Sequence, residues 1–307
     1  MAVNPVILRA IQRAYRHGHA DLPTKSLEQV RHYYYQHPIE QLSAHVYEEH
    51  AIKPKVSLRI YRPSMSKSTG KCKPVIFYLR ASAYVLGSIE DAGYFCHTLA
   101  NSLDVNVISI EPRLSPEQKF PEPFLDCIAS IEYIYNHHPQ LNLDIQNATI
   151  WGESSGANIA AALCQYLASE QVNFISKQIL FYPMLDYSNL NEYHSKRLYA
   201  EGFLMDKRLS DWFLSQYVRT VDDYEDIRVS PLLADNFAKL PKTLLILAQY
   251  DPMRDEAAQY IERLRDAKVS VHGLCLPGMI HGFLWYAPRV PLARYAIEYA
   301  ADYIKNC

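Results

Sequence analysis

A serine, an aspartate and a histidine in the second half of the chain are the residues whose types can do covalent chemistry together. The serine lies in Gly152-Glu-Ser154-Ser-Gly156. A serine hydroxyl is a weak nucleophile; it needs a histidine to take its proton and a carboxylate to orient that histidine. The five-residue pattern alone is weak, because a serine helix cap beside a close-packing glycine explains it equally well. Its setting says more. The apolar run Ala148-Thr-Ile-Trp151 precedes it, and the small-residue helical pattern Ser155-Gly-Ala-Asn-Ile-Ala-Ala-Ala-Leu163 follows. So tight a strand-turn-helix leaves no room for side chains beside the serine, hence the flanking glycines. The Ser155 N–H, at the helix N-terminus, points at negative charge developing on a substrate oxygen.

A serine in such a turn predicts the chain order serine, acid, histidine. Asp251 stands just past the apolar run Thr243-Leu-Leu-Ile-Leu-Ala248, and His281 stands in the loop after Val269-Ser-Val-His-Gly-Leu-Cys-Leu276. Both fall at the sheet edge where the serine emerges. Each has a plainer explanation: Asp251 before Pro252 suits a helix-start turn, and a lone loop histidine usually does no chemistry. Asp255 competes as the acid at similar depth. His137 and His138, beside Pro139 at a polar helix end, have no such setting. The coincidence of order and placement selects Ser154, Asp251 and His281.

The elements that must position them are legible as alternating strands and helices. Val56–Tyr61 alternates its faces as a half-buried strand does, whereas Pro74–Leu79 is nearly continuous and reads as covered on both faces. Val105–Ile110 and Gln178–Tyr182 repeat that character. Helical spacing fills Ala92–Leu103, Pro123–Asn136, Ser155–Ala168, Asp255–Ala267 and Pro291–Asn306. The alternation predicts a single α/β domain over 1–307, with a mostly parallel sheet covered by helices on both faces. Two segments, about 1–40 and about 186–229, are too long for ordinary connections and are expected to fold together as a helical cap.

Bulk properties exclude several functions. A net charge of −2 gives no footprint for nucleic acid. No apolar stretch approaches transmembrane length, and the start of the chain reads as an amphipathic helix, not a signal peptide; a cytoplasmic protein is expected. The six cysteines show neither C-x-x-C nor paired ligand spacing, which argues against a zinc site or disulfide framework. The 24 tyrosines suit core edges or a pocket lining. The amphipathic terminal helix around Tyr295–Ile304 more naturally covers the sheet than pairs with a second subunit, which leaves a homodimer open.

From about Tyr61 onward the chain resembles the bacterial hormone-sensitive-lipase family, a branch of capped α/β-hydrolases. The resemblance rests on Gly152–Gly156, on Pro112-Arg-Leu-Ser-Pro-Glu-Gln-Lys-Phe-Pro121, on Arg228-Val-Ser-Pro-Leu-Leu-Ala234, on Tyr250-Asp-Pro-Met-Arg-Asp-Glu256 and on His281-Gly-Phe283. It implies an α/β-hydrolase fold, no cofactor, and hydrolysis of short- to medium-chain carboxylic esters by Ser154, with His281 as base then acid and Asp251 as orienter. It also implies that Glu153 braces the loop of Pro112 to Pro121.

One departure bears on activity. Where the family carries His-Gly-Gly-Gly, this chain has Arg80-Ala-Ser-Ala83, and the match resumes at Tyr84-Val-Leu-Gly-Ser88. The family's oxyanion hole uses backbone N–H groups of that loop, which places Ser82, Ala83 and Ser155 as the donors here. Alanine and serine possess the N–H but resist the backbone shapes glycine adopts. Arg80 has two open destinations, the substrate oxyanion or an ion pair with Glu90 or Asp91. Two further functions therefore stand beside the esterase: a binding scaffold for a small hydrophobic ligand with little turnover, and a hydrolase of amides or lactones.

Overall fold

A computed structural model describes residues 2–35, 46–64, 72–188 and 190–306. Among them run the strands β1 (Glu48–Lys53), β2 (Val56–Tyr61), β3 (Lys73–Leu79), β4 (Asn106–Glu111), β5 (Leu143–Glu153), β6 (Ile175–Phe181), β7 (Lys242–Tyr250) and β8 (Val271–Ile280). The helices are α1 (Pro5–Arg16), α2 (Leu27–Tyr35), α3 (Gly93–Leu103), α4 (Glu122–His137), α5 (Ser155–Ser169), α6 (His194–Leu198), α7 (Lys207–Tyr217), α8 (Arg254–Asp266) and α9 (Pro291–Asn306).

The strands form one sheet in the order β1-β2-β4-β3-β5-β6-β7-β8. The pairings β1/β2 and β2/β4 are antiparallel; the rest are parallel. The period-two alternation of a strand divides each central strand between two cores. Val75, Phe77 and Leu79 of β3 face the helices α4, α5 and α8, while Ile76 and Tyr78 face α1, α3 and α9. Strands buried on both sides read as unbroken apolar runs for this reason. The chain leaves β3 toward one side of the sheet and β5 toward the other. Their carboxyl ends therefore flank the crevice where open α/β sheets bind ligands. The Arg80–Ala83 loop follows β3, and Ser154 follows β5.

The two segments expected as a cap lie against each other. The Tyr15 hydroxyl donates to Asp206, His19 Nε2 lies 2.7 Å from the Leu204 carbonyl oxygen, and the Tyr34 ring packs on Phe213. Residues 36–40, the end of the first expected cap segment, lie outside the described residues. The Pro112–Pro121 loop ties α7 down: the Phe120 N–H donates to the Tyr217 carbonyl at 2.8 Å, and Lys119 Nζ donates to the carbonyls of Ser215 and Val218. The loop is itself held by Arg113, whose guanidinium grips the fully buried Asp126 through two bonds of 2.8 and 2.7 Å. The guanidinium beside it, together with Lys53, keeps the Asp126 carboxyl below its ordinary range against the opposing effect of burial.

Cys96, Cys127 and Cys164 are buried as expected of small hydrophobes, but Cys275 is exposed, since β8 is an edge strand. No helix among the described residues is long and apolar enough to cross a membrane.

Candidate active site

The turn after β5 is strained in a way only a crowded site sustains. Ser154 adopts φ +53°, ψ −120°, a region that costs a non-glycine residue roughly 1–3 kcal/mol. The neighbouring backbone enforces it. Ser154 N–H donates to the Phe181 carbonyl at 3.0 Å, and Asn158 N–H donates to the Ser154 carbonyl at 3.0 Å, starting α5. A Cβ on Gly156 would overlap the Leu79 carbonyl, and one on Gly152 would lie 2.5 Å from the Gly156 oxygen. Both flanking glycines are thus required by close approach of backbone to backbone.

Three side chains converge on this turn. His281 Nε2 lies 2.7 Å from Ser154 Oγ, and His281 Nδ1 lies 2.9 Å from Asp251 Oδ2. All three residues are buried. Asp251 Oδ1 accepts the Met253 N–H at 2.9 Å, which fixes the carboxylate plane. The Tyr182 ring stands edge-on to the imidazole with centroids 5.1 Å apart. The competing Asp255 is elsewhere: its Oδ2 accepts the Ser195 N–H at 2.8 Å and its Oδ1 pairs with Arg254, so it pins α6 to α8.

The loop after β3 gives a less simple picture. Ala83 and Tyr84 take φ +46° and +64° in succession, conformations natural to glycine and strained in these residues. The Ser82 N–H, expected to face a substrate oxygen, donates instead to Ser155 Oγ at 3.1 Å. Arg80 turns away from the serine. Its guanidinium binds Glu111 with bonds of 3.1 and 2.8 Å and donates to the Leu86 carbonyl at 2.7 Å. Neither Glu90 nor Asp91 is a hydrogen-bonding partner of Arg80, although Asp91 lies close enough to favour its charge. Glu90 is taken by Arg59 at 2.5 Å. The reason is register: Glu111 ends β4, the parallel neighbour of β3, and so faces the side chain that follows Leu79.

Glu153 also departs from expectation. It does not brace the Pro112–Pro121 loop; its oxygens accept the hydroxyls of Tyr78 (2.9 Å) and Tyr182 (3.1 Å) beneath the serine turn. Burial pushes its pKa from 4.5 up to about 7, against the lowering effect of those two hydroxyls. In the unfolded chain the carboxyl ionises near 4.5. Between about 4.5 and 7 the folded protein therefore holds more protons at this site than the unfolded one, and stability falls as pH rises through that window. Glu153→Gln removes the titration at constant volume. We expect the unfolding free energy of wild type minus variant to fall by about 2 to 3 kcal/mol from pH 5 to pH 8, followed by urea melts. A flat difference across that range would place the Glu153 pKa at its ordinary value.

Several residues around the serine were missed by sequence reasoning. Met184 Sδ lies 3.6 Å from Ser154 Oγ, the Tyr187 hydroxyl donates to that sulfur at 3.1 Å, and Tyr84 meets Tyr187 hydroxyl to hydroxyl at 3.1 Å. Tyr84 stacks on Tyr217 of α7 with centroids 3.8 Å apart. Asn158 holds this wall by donating to the Met184 and Val229 carbonyls at 2.7 and 2.8 Å. The available signal was position, since Met184 and Tyr187 follow β6 at the carboxyl end of the sheet.

Comparison with known proteins agrees with the fold. A family model described as an alpha/beta hydrolase fold matches residues 76–285. LipN of Mycobacterium tuberculosis, a carboxylic ester hydrolase, is 32% identical over 75% of this chain and 61% of its own length. An arylesterase of Saccharolobus solfataricus is 31% identical over 74% of this chain and 72% of its own. An ester hydrolase from the metagenome of Lake Arreo, solved in complex with a derivative of bipyridine phosphonate, superposes with a TM-score of 0.89 at 30% identity, covering 98% of each chain. Sheet order, strained serine turn and these likenesses together place the chain in the α/β-hydrolase family, in its hormone-sensitive-lipase-like branch.

Proposed function

We propose that the protein is a carboxylic ester hydrolase working through an acyl-enzyme. The observation that carries this reading is the unbroken line from Ser154 Oγ to His281 Nε2 and from His281 Nδ1 to Asp251 Oδ2, at 2.7 and 2.9 Å. His281 takes the Ser154 proton as Oγ attacks the ester carbonyl, and Asp251 holds the imidazolium that forms. Collapse of the tetrahedral intermediate passes that proton to the departing alcohol. Water, deprotonated by the same imidazole, then releases the acid and restores Ser154. The N–H groups of Ala83 and Ser155 are proposed as backbone donors to the oxyanion.

The substrate is proposed to carry a short or medium acyl chain. Met184, Tyr187 and Tyr84 crowd the serine, and the segments 2–35 and 186–229 act as a cap that closes off a polymer groove. The likeness to proteins named as ester hydrolase and arylesterase supports the reaction class. We expect turnover of p-nitrophenyl acetate and butyrate, a sharp decline at octanoate, and labelling by a fluorophosphonate probe. A protein that neither hydrolyses these esters nor labels would end this reading. It would favour a ligand-binding scaffold, for which the diversion of the Ser82 N–H to Ser155 is the supporting observation. That alternative predicts thermal stabilisation by the same esters without product release.

A further inference from the structure

The Arg80–Ala83 loop replaces backbone glycine with a side chain that has a use. Ser82 Oγ and Ser155 Oγ lie 3.2 Å apart, the Ser82 N–H donates to Ser155 Oγ at 3.1 Å, and the Tyr84 N–H donates to Ser82 Oγ at 3.1 Å. Each hydroxyl has one proton and two lone pairs. Two backbone N–H groups therefore enter the pair, one hydroxyl proton lies between the oxygens, and one hydroxyl proton is left over. Among the described residues the two oxygens have no further hydrogen-bond partner.

Burial decides which oxygen carries it. Ser155 is fully buried, whereas Ser82 is partly exposed. If Ser155 donates to Ser82, then Ser155 Oγ, with the Ser82 N–H entering it, keeps no proton to place. Ser82 Oγ then accepts two bonds, from Ser155 and Tyr84, and its own proton faces the open side. A hydroxyl that accepts two hydrogen bonds is polarised into a better donor.

We propose that the Ser82 hydroxyl is a catalytic residue, donating to the oxyanion in place of its own backbone N–H, which Ser155 has captured. This rests on the ester-hydrolase reading and adds a donor to it. The tetrahedral oxyanion forms on the carbon attacked by Ser154, the residue before Ser155, and the Ser82 bonds to Ser155 tie this loop to the turn that carries the nucleophile. The Ser82 proton is not transferred; it remains on Oγ and its hydrogen bond strengthens as charge builds, which is the condition for raising turnover without tightening substrate binding. The two left-handed residues that follow, Ala83 and Tyr84, gain a purpose: they aim the Tyr84 N–H back at Ser82 Oγ.

The test is steady-state hydrolysis of p-nitrophenyl butyrate by wild type, Ser82→Ala, Ser82→Gly and Ser155→Ala, with melting temperatures recorded alongside. Ser82→Ala keeps the N–H and loses only the hydroxyl, and Ser82→Gly keeps the N–H while losing Cβ as well, so both should lower kcat by about tenfold to hundredfold with KM changed less than about twofold. Ser155→Ala, which removes one of the bonds entering Ser82, should cost less. A Ser82→Ala kcat within about twofold of wild type overturns the proposal while leaving the esterase reading intact. So does a kcat loss that appears only with a matching drop in melting temperature, and a larger loss in Ser155→Ala would assign the free proton to Ser155 instead. An inactive wild type sinks both readings together.

Discussion

Ser154→Ala is expected to leave a folded protein with no measurable turnover of p-nitrophenyl butyrate and no labelling by a fluorophosphonate. The loss should be on the order of 10⁴ to 10⁶ in kcat, since deleting the nucleophile removes the acyl-enzyme route entirely. The fold should survive for a specific reason. The strained backbone at Ser154 is held by main-chain bonds, from its N–H to Phe181 and from Asn158 to its carbonyl, and neither involves the hydroxyl. Among the described residues the hydroxyl's hydrogen-bond partners are His281 and, more distantly, Met184. A melting temperature within a few degrees of wild type, alongside vanished turnover, is the expected pair of results. Residual hydrolysis within about tenfold of wild type would mean that another residue attacks the ester.

The meeting of Ser154, His281 and Asp251 was legible in the sequence because each stands at the end of a strand, and the parallel topology brings strand ends to one edge. The helices α3, α4, α5, α8 and α9 lie where periodicity predicts them, within a residue or two at each end. What escaped was polar. The edge strand β1, Glu48-Glu-His-Ala-Ile-Lys53, has no buried residue and carries no apolar alternation to announce it. The strand β5 starts five residues before the expected Ala148, through Asp144, Gln146 and Asn147, whose side chains do not lie in either core. The strand β8 continues past the expected Leu276 to Ile280, through Pro277 and Gly278; it runs along the sheet edge, where a missing donor is tolerated.

The second segment expected as a cap shows the same limit at a larger scale. Among the described residues of 186–229 the helical pieces are α6, α7 and the 3₁₀ turn Val221–Glu225, and two buried carboxylates, Asp186 within the segment and Glu256 outside it, bond to the irregular stretch around residue 186. Glu256, fully buried, accepts the Leu185 N–H at 2.7 Å and pairs with Lys196 at 2.6 Å. Burial pushes the Glu256 carboxyl upward, with Lys196 and the Leu185 N–H opposing that shift. Asp186 accepts from Ser188, Asn191 and Tyr193. A lone carboxylate in a sequence does not announce a partner seventy residues away. The Ser82–Ser155 pair is the same case, since neither serine alone distinguishes a donor from a filler.

Asp251→Asn should separate the two candidate acids by a wide margin. Asp251 Oδ1 already accepts the Met253 N–H, so an asparagine keeps its carbonyl oxygen there and turns its amide nitrogen toward His281. An amide nitrogen donates to Nδ1 and forces the imidazole proton onto Nε2, the atom that must accept the Ser154 proton. The geometry survives while the tautomer is wrong, and a fall in kcat of about 10⁴ is expected with KM and melting temperature nearly unchanged. Asp255→Asn meets a different environment. Its carboxylate serves the Ser195 N–H and Arg254, partly exposed and away from His281, so the expected cost is about 1 kcal/mol of stability and less than about tenfold in kcat. Measured side by side with p-nitrophenyl butyrate, the two variants should differ by about a thousandfold. A reversed order would mean that His281 is held by its fixed position between Tyr182 and Ser154, and that the charge it needs comes through α8 from Asp255.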